Sequence, residues 1–289
     1  MIPHWMWLTA IMFGSSVVLY TSIQKATAHG MSLALKNLTI FASPLVVFVI
    51  FALVADISLQ VSWRQLGLLV PTGMVVYANN LATLKSLERT PNPGYSLSIA
   101  KSYVVLTTLV AVPLFGAHLS FGAIISILLI VGFMTLLSVD PTATKQQNTR
   151  KSWIAFALVA MVLTALITLM AKYLSQDGLP TITILVYFFG VGTVCTAVEL
   201  VHKRVRLGHL QPHLKDLSLI GVANVSFNYF NYAALVAAPN VGYVNAANAA
   251  SIGAITVASV WLLGAKLTTR KLIGVFGIVG SLWLLLAAS

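Results

Sequence analysis

The chain carries one stretch twice. Pro91-Asn92-Pro93-Gly94-Tyr95 is answered 148 positions later by Pro239-Asn240-Val241-Gly242-Tyr243. At the same offset, with no gap, Trp5 meets Trp153, Gly30 meets Gly178, Gly73 meets Gly221 and Asn80 meets Asn228. Downstream, Gly116-Ala117 meets Gly264-Ala265 and Ile130-Val131-Gly132 meets Ile278-Val279-Gly280. Matches of Leu, Val and Ala are cheap in an apolar chain, but matches of Trp, Asn, Pro, Gly and Tyr at one fixed offset are not. The chain is two copies of one unit, and a repeat restricts the available folds more than composition does.

The spacing predicts ten apolar runs at 5–24, 32–55, 66–86, 93–114, 119–139, 153–173, 180–201, 214–236, 241–263 and 267–287. Each is near the roughly 20 residues that cross a hydrocarbon core as a helix. The expected fold is an all-α membrane protein of ten transmembrane helices. Residues 1–139 form a first five-helix repeat, 140–152 a basic linker and 153–289 a second repeat, together making one integral membrane domain. Five spans per copy is an odd number, so the second copy enters from the opposite face. Inverted repeats of this kind build many secondary transporters, with the substrate site at the repeat interface.

The repeated stretch ends one run and begins the next, so each copy reads as a tight turn between helices. Asn92 and Asn240 suit the N-cap, where a side-chain oxygen accepts from an unpaired backbone N–H. Pro93 follows at the first helical position, where its missing N–H costs nothing. Gly94 and Gly242 leave room for close packing, and Tyr95 and Tyr243 suit the bilayer edge.

Only 8% of the residues are charged, against about 25% in soluble proteins, which excludes a soluble core. The net charge of +11 does not point to nucleic acid, because the basic residues sit in the connections between runs. Thirteen of them (Lys25, Lys85, Arg89, Lys145, Arg150, Lys151, Lys203, Arg204, Arg206, Lys215, Lys266, Arg270 and Lys271) fall on one side, and Arg64 and Lys172 on the other. The positive-inside rule places the thirteen in the cytoplasm and both termini outside the cell membrane. The first run, starting by Trp5, is long enough to stay as a helix rather than be cleaved as a signal peptide. Cys195 stands alone inside an apolar run, so no internal disulfide is available.

All six acids, Asp56, Glu88, Asp140, Asp177, Glu199 and Asp216, fall at or beyond the ends of runs, which disfavours proton coupling through a mid-membrane carboxylate. The interior holds amides instead. Asn224, Asn228 and Asn231 share one face of span 8, extended by Tyr232, and Asn245 and Asn248 share a face of span 9. Asn80 is the repeat partner of Asn228. Lys101 lies about eight residues, or about 12 Å, into span 4. It maps onto Ala249, beside Asn248, so the faces bearing Lys101 and Asn245/Asn248 are repeat partners. Lys101, Asn80, Asn224, Asn228, Asn231, Tyr232, Asn245 and Asn248 are therefore the candidate substrate-binding residues. For each Asn the competing explanation is a helix-to-helix hydrogen bond, and for Lys101 it is snorkelling. Lys36, about five residues into span 2, is expected to reach the surface. Gly277 and Ser281 on span 10 read as a small-residue packing pair, and spans 5 and 10 as scaffold or the contact of a homodimer.

The run Leu262-Leu263-Gly264-Ala265-Lys266-Leu267, with Gly274 and Gly280 and the five-plus-five duplication, resembles the EamA-type transporters of the drug/metabolite transporter superfamily. In that family the run usually carries a glutamate, where Ala265 and Ala117 stand here. The resemblance implies a carrier whose cavity is lined by spans 1–4 and 6–9. It also implies cytoplasmic termini, against which the charge bias of the connections argues. The function expected is a permease moving a small polar metabolite, amino-acid-like or anionic, by alternating access through a central cavity between the repeats. The alternative is a non-transporting membrane scaffold or assembly subunit whose polar residues only pack helices together. Paired acids, a nucleophile with its base and a metal cluster are all missing from the sequence pattern, so neither an enzyme nor a cofactor is expected. A reporter fused at Ser289 is accordingly expected to behave as extracytoplasmic. A cytoplasmic readout would show that the charge bias does not set orientation here.

Overall fold

A computed structural model describes residues 3–89, 96, 99–138, 152–204, 213–263 and 268–288. Among them are ten helices: α1 His4–Ala28, α2 Leu33–Val54, α3 Trp63–Arg89, α4 Tyr103–Phe115, α5 Phe121–Ser138, α6 Ser152–Gln176, α7 Thr181–His202, α8 Leu214–Ala237, α9 Val241–Leu263 and α10 Thr269–Ala288. They follow the ten predicted runs. Four are long and apolar enough to cross a membrane by length and composition alone, α1, α2, α6 and α7, and 99–115, 121–136 and 272–288 are shorter apolar helices. The start of span 4, with Asn92, Pro93, Gly94 and Tyr95, lies outside the described residues.

Two helices 148 positions apart end alike. Gly30 and Gly178 both have positive φ, +75° and +88°, a conformation open to glycine because it has no Cβ. Each closes its helix with the same pair of bonds, 148 positions apart. Met31 N–H donates to Ala26 C=O and His29 N–H to Lys25 C=O, while Leu179 N–H donates to Leu174 C=O and Asp177 N–H to Tyr173 C=O. The i→i−5 bond followed by a buried apolar contact is the Schellman termination.

The chain forms two compact units, neither of which is a sequence half. One comprises Met1–Tyr77 and Met170–Ala237, the other Ala78–Leu169 and Ala238–Ser289. In the first, α2 packs on α7 and α1 on α8. Thr183 Oγ1 donates to Ser58 C=O and Tyr187 Oη to Leu59 C=O, while Phe41 meets Phe189 further along, at 6.2 Å between ring centroids. Contacts that rise along α2 as they fall along α7 make the pair antiparallel. Phe41 and Phe189 are equivalent positions of the two repeats. Two further close approaches are also equivalent to each other: a Cβ on Gly73 would lie 2.7 Å from Val191 Cβ, and one on Gly221 3.0 Å from Ser43 Oγ.

In the second unit α9 is the central helix. Residues 241–253 are buried on every side, as expected of a helix with neighbours all round. Gly242, Ala246, Ala249, Ala250 and Gly253 let those neighbours, α4, α5 and α10, come close. Asn240 caps the helix, its Oδ1 accepting from Gly242 N–H at 2.8 Å. On α10, Gly277 packs flush against Phe133 of α5 and Ser281 Oγ donates to Gly277 C=O, so this small-residue pair is used for packing between equivalent spans.

A Cβ added at Gly242 would sit 1.8 Å from Thr108 Oγ1 and 2.9 Å from Thr108 Cα, whereas one at Gly253 meets Ile278 at ordinary distances of 3.6–3.9 Å. Gly242→Ala is therefore expected to destabilise by about 1–3 kcal/mol through overpacking, and Gly253→Ala to be tolerated. Thermal unfolding in detergent measures both, and equal midpoints for the two variants would refute the packing account.

Candidate functional site

The polar residues predicted from the sequence fall into two sets, one in each unit. In the second unit, α4 and α9 run antiparallel along a polar seam. Tyr243 Oη donates to His118 C=O at 3.2 Å, Asn245 Nδ2 to Thr107 Oγ1 at 2.9 Å and Asn248 Nδ2 to Tyr103 Oη at 3.1 Å. At the end of this ladder Lys101 Nζ donates to Asn248 Oδ1 at 2.9 Å. Lys101 is 7% exposed, Asn248 5% and Asn245 1%. The lysine thus points into the α4–α9 contact rather than snorkelling. One amide serves both neighbours, since Asn248 gives its oxygen to the ammonium and its N–H₂ to the phenol.

The backbone beside Lys101 is irregular. Residues 99–101 are helical, Ser102 is a turn, and α4 proper begins at Tyr103. Ser102 N–H bonds to Ile99 C=O, and Val105 N–H bonds to Ser102 C=O. These i→i−3 bonds tighten the helix for one turn, a feature that often marks a hinge or a functional position.

The first unit holds Asn224, Asn228, Asn231 and Tyr232. Asn224 Nδ2 donates to Ile40 C=O at 2.8 Å. That carbonyl needs a donor because residue 44, which would normally supply it, is Pro44 inside α2. Asn228 Nδ2 in turn donates to both Asn224 C=O and Asn224 Oδ1 at 2.8 Å. Asn231 Oδ1 is buried and has no hydrogen-bond partner among the described residues. Tyr232 stacks edge-on to Phe188 with ring centroids 6.1 Å apart. Asn80 is half-buried on α3 in the second unit. The turn between α8 and α9, read from the sequence as one hairpin bearing five asparagines, is where the chain passes from the first unit to the second.

Three features escaped the sequence reading. Lys36 is 8% exposed instead of reaching out, because the first turn of α2 is covered by α1 and α8, with Leu35 packed among Leu19, Ile220 and Ala223. Lys172, counted only as a loop cation, donates to Leu235 C=O at 3.1 Å and Val236 C=O at 2.5 Å, capping the negative end of α8. Glu199 accepts from Tyr77 Oη at 2.5 Å and from Lys203 Nζ at 2.5 Å. The sequence signal for the Pro44–Asn224 pairing was present, in a proline four residues after an apolar position. The partner helix was not.

The apolar helices, four of them long enough to cross a membrane, make this a multi-pass integral membrane protein, in which a buried lysine is costly. Residues 151–287 match the model of the EamA-like transporter family, within the drug/metabolite transporter superfamily. Members of the family are transporters rather than enzymes. A search of curated proteins found no match. Among the solved structures that match is a crystal structure of a protein 16% identical in sequence, covering 96% of this chain and 97% of its own, with a TM-score of 0.78. It shares the fold.

Asn224→Leu leaves the Ile40 carbonyl buried without a donor, at an expected cost of about 1–3 kcal/mol. Pro44→Ala restores a backbone donor and is expected to recover part of that loss, giving a non-additive double-mutant cycle in thermal unfolding. Strict additivity would mean that Asn224 acts some other way.

Proposed function

We propose that the protein is a secondary transporter that moves a small polar metabolite, amino-acid-like or anionic, by alternating access. The observation that carries this reading is the buried Lys101–Asn248–Tyr103 cluster. Lys101 Nζ donates to a neutral amide that a phenol holds in place, an arrangement into which a substrate carboxylate can enter, and beside it the helix is irregular. Lys101, Asn245 and Asn248 are the substrate contacts we favour in the second unit.

Inverted repeats are supported by the packing of equivalent spans. α2 with α7, α4 with α9 and α5 with α10 each join a span to its repeat partner, and the contacts along each pair run antiparallel. Copies related by an in-plane two-fold axis pack their equivalent helices in that way. We place the protein in the cell membrane with both termini outside.

The scaffold alternative has one observation in its favour, because Asn224 and Asn228 satisfy backbone and side-chain groups of their own unit. A thermal-shift screen over amino acids, nucleosides and organic anions separates the two. For a carrier, at least one compound raises the unfolding midpoint by mass action. Lys101→Ala abolishes the rise, and Lys101→Arg keeps part of it. No stabilising compound, together with full tolerance of Lys101→Ala combined with Asn245→Ala, would leave the scaffold standing.

A further inference from the structure

The end of α3 and the start of α6 carry a cluster that the transport reading does not use. Lys85 and Arg89 lie four residues apart on one face of α3, where like charges repel. Both sit over the same ring of α6: Lys85 Nζ is 5.7 Å from the Phe156 centroid and Arg89 Cζ is 4.8 Å from it. Arg89 Nη1 also donates to Ser152 Oγ at 3.5 Å. Both cations are exposed, and among the described residues neither has a carboxylate within ion-pair distance. The two helices are held together here by Ser86 Oγ, which donates to Trp153 C=O at 2.9 Å. The positive N-terminal end of α6, a 25-residue helix, adds to the same local field.

We propose that Lys85, Arg89 and Phe156 form a headgroup site for an anionic phospholipid. A phosphate diester between the two cations removes their mutual repulsion, and Arg can bind it through two parallel N–H groups. The ring holds both cations at the level where an apolar span gives way to a polar connection. That is the depth of a lipid phosphate. Basic pockets between transmembrane helices on the cytoplasmic side are suited to anionic headgroups, and this face carries the excess of Lys and Arg. The phosphate is offered at that depth only by the bilayer, so lipid rather than free phosphate is the occupant the position favours.

The test uses the full-length protein purified in neutral detergent. Phosphatidylglycerol is expected to raise the unfolding midpoint and to appear as bound adducts in native mass spectrometry, whereas phosphatidylcholine at the same mole fraction is not. K85Q/R89Q is expected to bind phosphatidylglycerol at least tenfold more weakly. K25Q/K215Q, which removes two cations from the same side of the chain, is expected to bind like wild type. Should K85Q/R89Q fail to purify, R89Q and F156L are each expected to lose adducts without that double change. Equal binding by K85Q/R89Q and wild type would overturn the proposal. So would a rise produced equally by phosphatidylcholine, or one reproduced by inorganic phosphate at the same concentration. Failure here leaves the transport reading untouched, because no substrate residue is altered.

Discussion

Inside a hydrocarbon core, water cannot finish a hydrogen bond that the protein leaves open, and each polar group must find its partner within the bundle. Much of this structure follows from that constraint. Pro44 takes one donor away from α2, and Asn224 of another helix supplies it. The last carbonyls of α8 have no intrahelical donors, and Lys172 provides them. Lys101 brings a charge into a span, and Asn248 with Tyr103 accommodates it. Each is a long-range pairing in which a local irregularity on one helix selects a residue type on another.

The same constraint gives the α4–α9 seam its character. Residues 241–253 of α9 are buried all round, and its small residues bring α4 near enough for short hydrogen bonds between side chains. Thr107, Tyr103 and Lys101 descend α4 as Asn245 and Asn248 ascend α9. The seam is thus closely packed where Gly242 faces Thr108 and polar where Lys101 faces Asn248. A membrane protein built only for packing has no need of the second part. A carrier needs polar groups whose partners can be exchanged for a substrate, and individual hydrogen bonds between membrane helices are worth only about 0.6 kcal/mol on average. That is weak enough for a substrate to replace them.

Pairing of equivalent spans also makes sense of the compact units. An element that packs against its own repeat partner gathers helices from both sequence halves around one contact. Each unit is therefore mixed: α2 and α7 meet at Phe41 and Phe189 in one, α4 and α9 at Asn248 and Lys101 in the other. Division of the chain by sequence and division by contact answer different questions, descent in the first case and packing in the second.

The ten helices and their approximate ends were legible in the sequence, because apolar run length and glycine position act locally. Gly30 and Gly178 ended their helices as local chemistry requires. The contact of Lys101 with the Asn248 face was legible too, since the fixed offset sets those two faces against each other. What the sequence could not determine was the partner of each polar group. Five asparagines looked like one row on one hairpin, yet tertiary structure divided them between two units. It assigned Asn224 to a carbonyl freed by a proline 180 positions away and Asn248 to a lysine just before α4. Lys36, five residues into its span, looked able to reach water, and packing by α1 and α8 closed that route. Local sequence sets which groups need a partner, but the partner is chosen by which helices are brought side by side, and that is decided by packing across the whole chain.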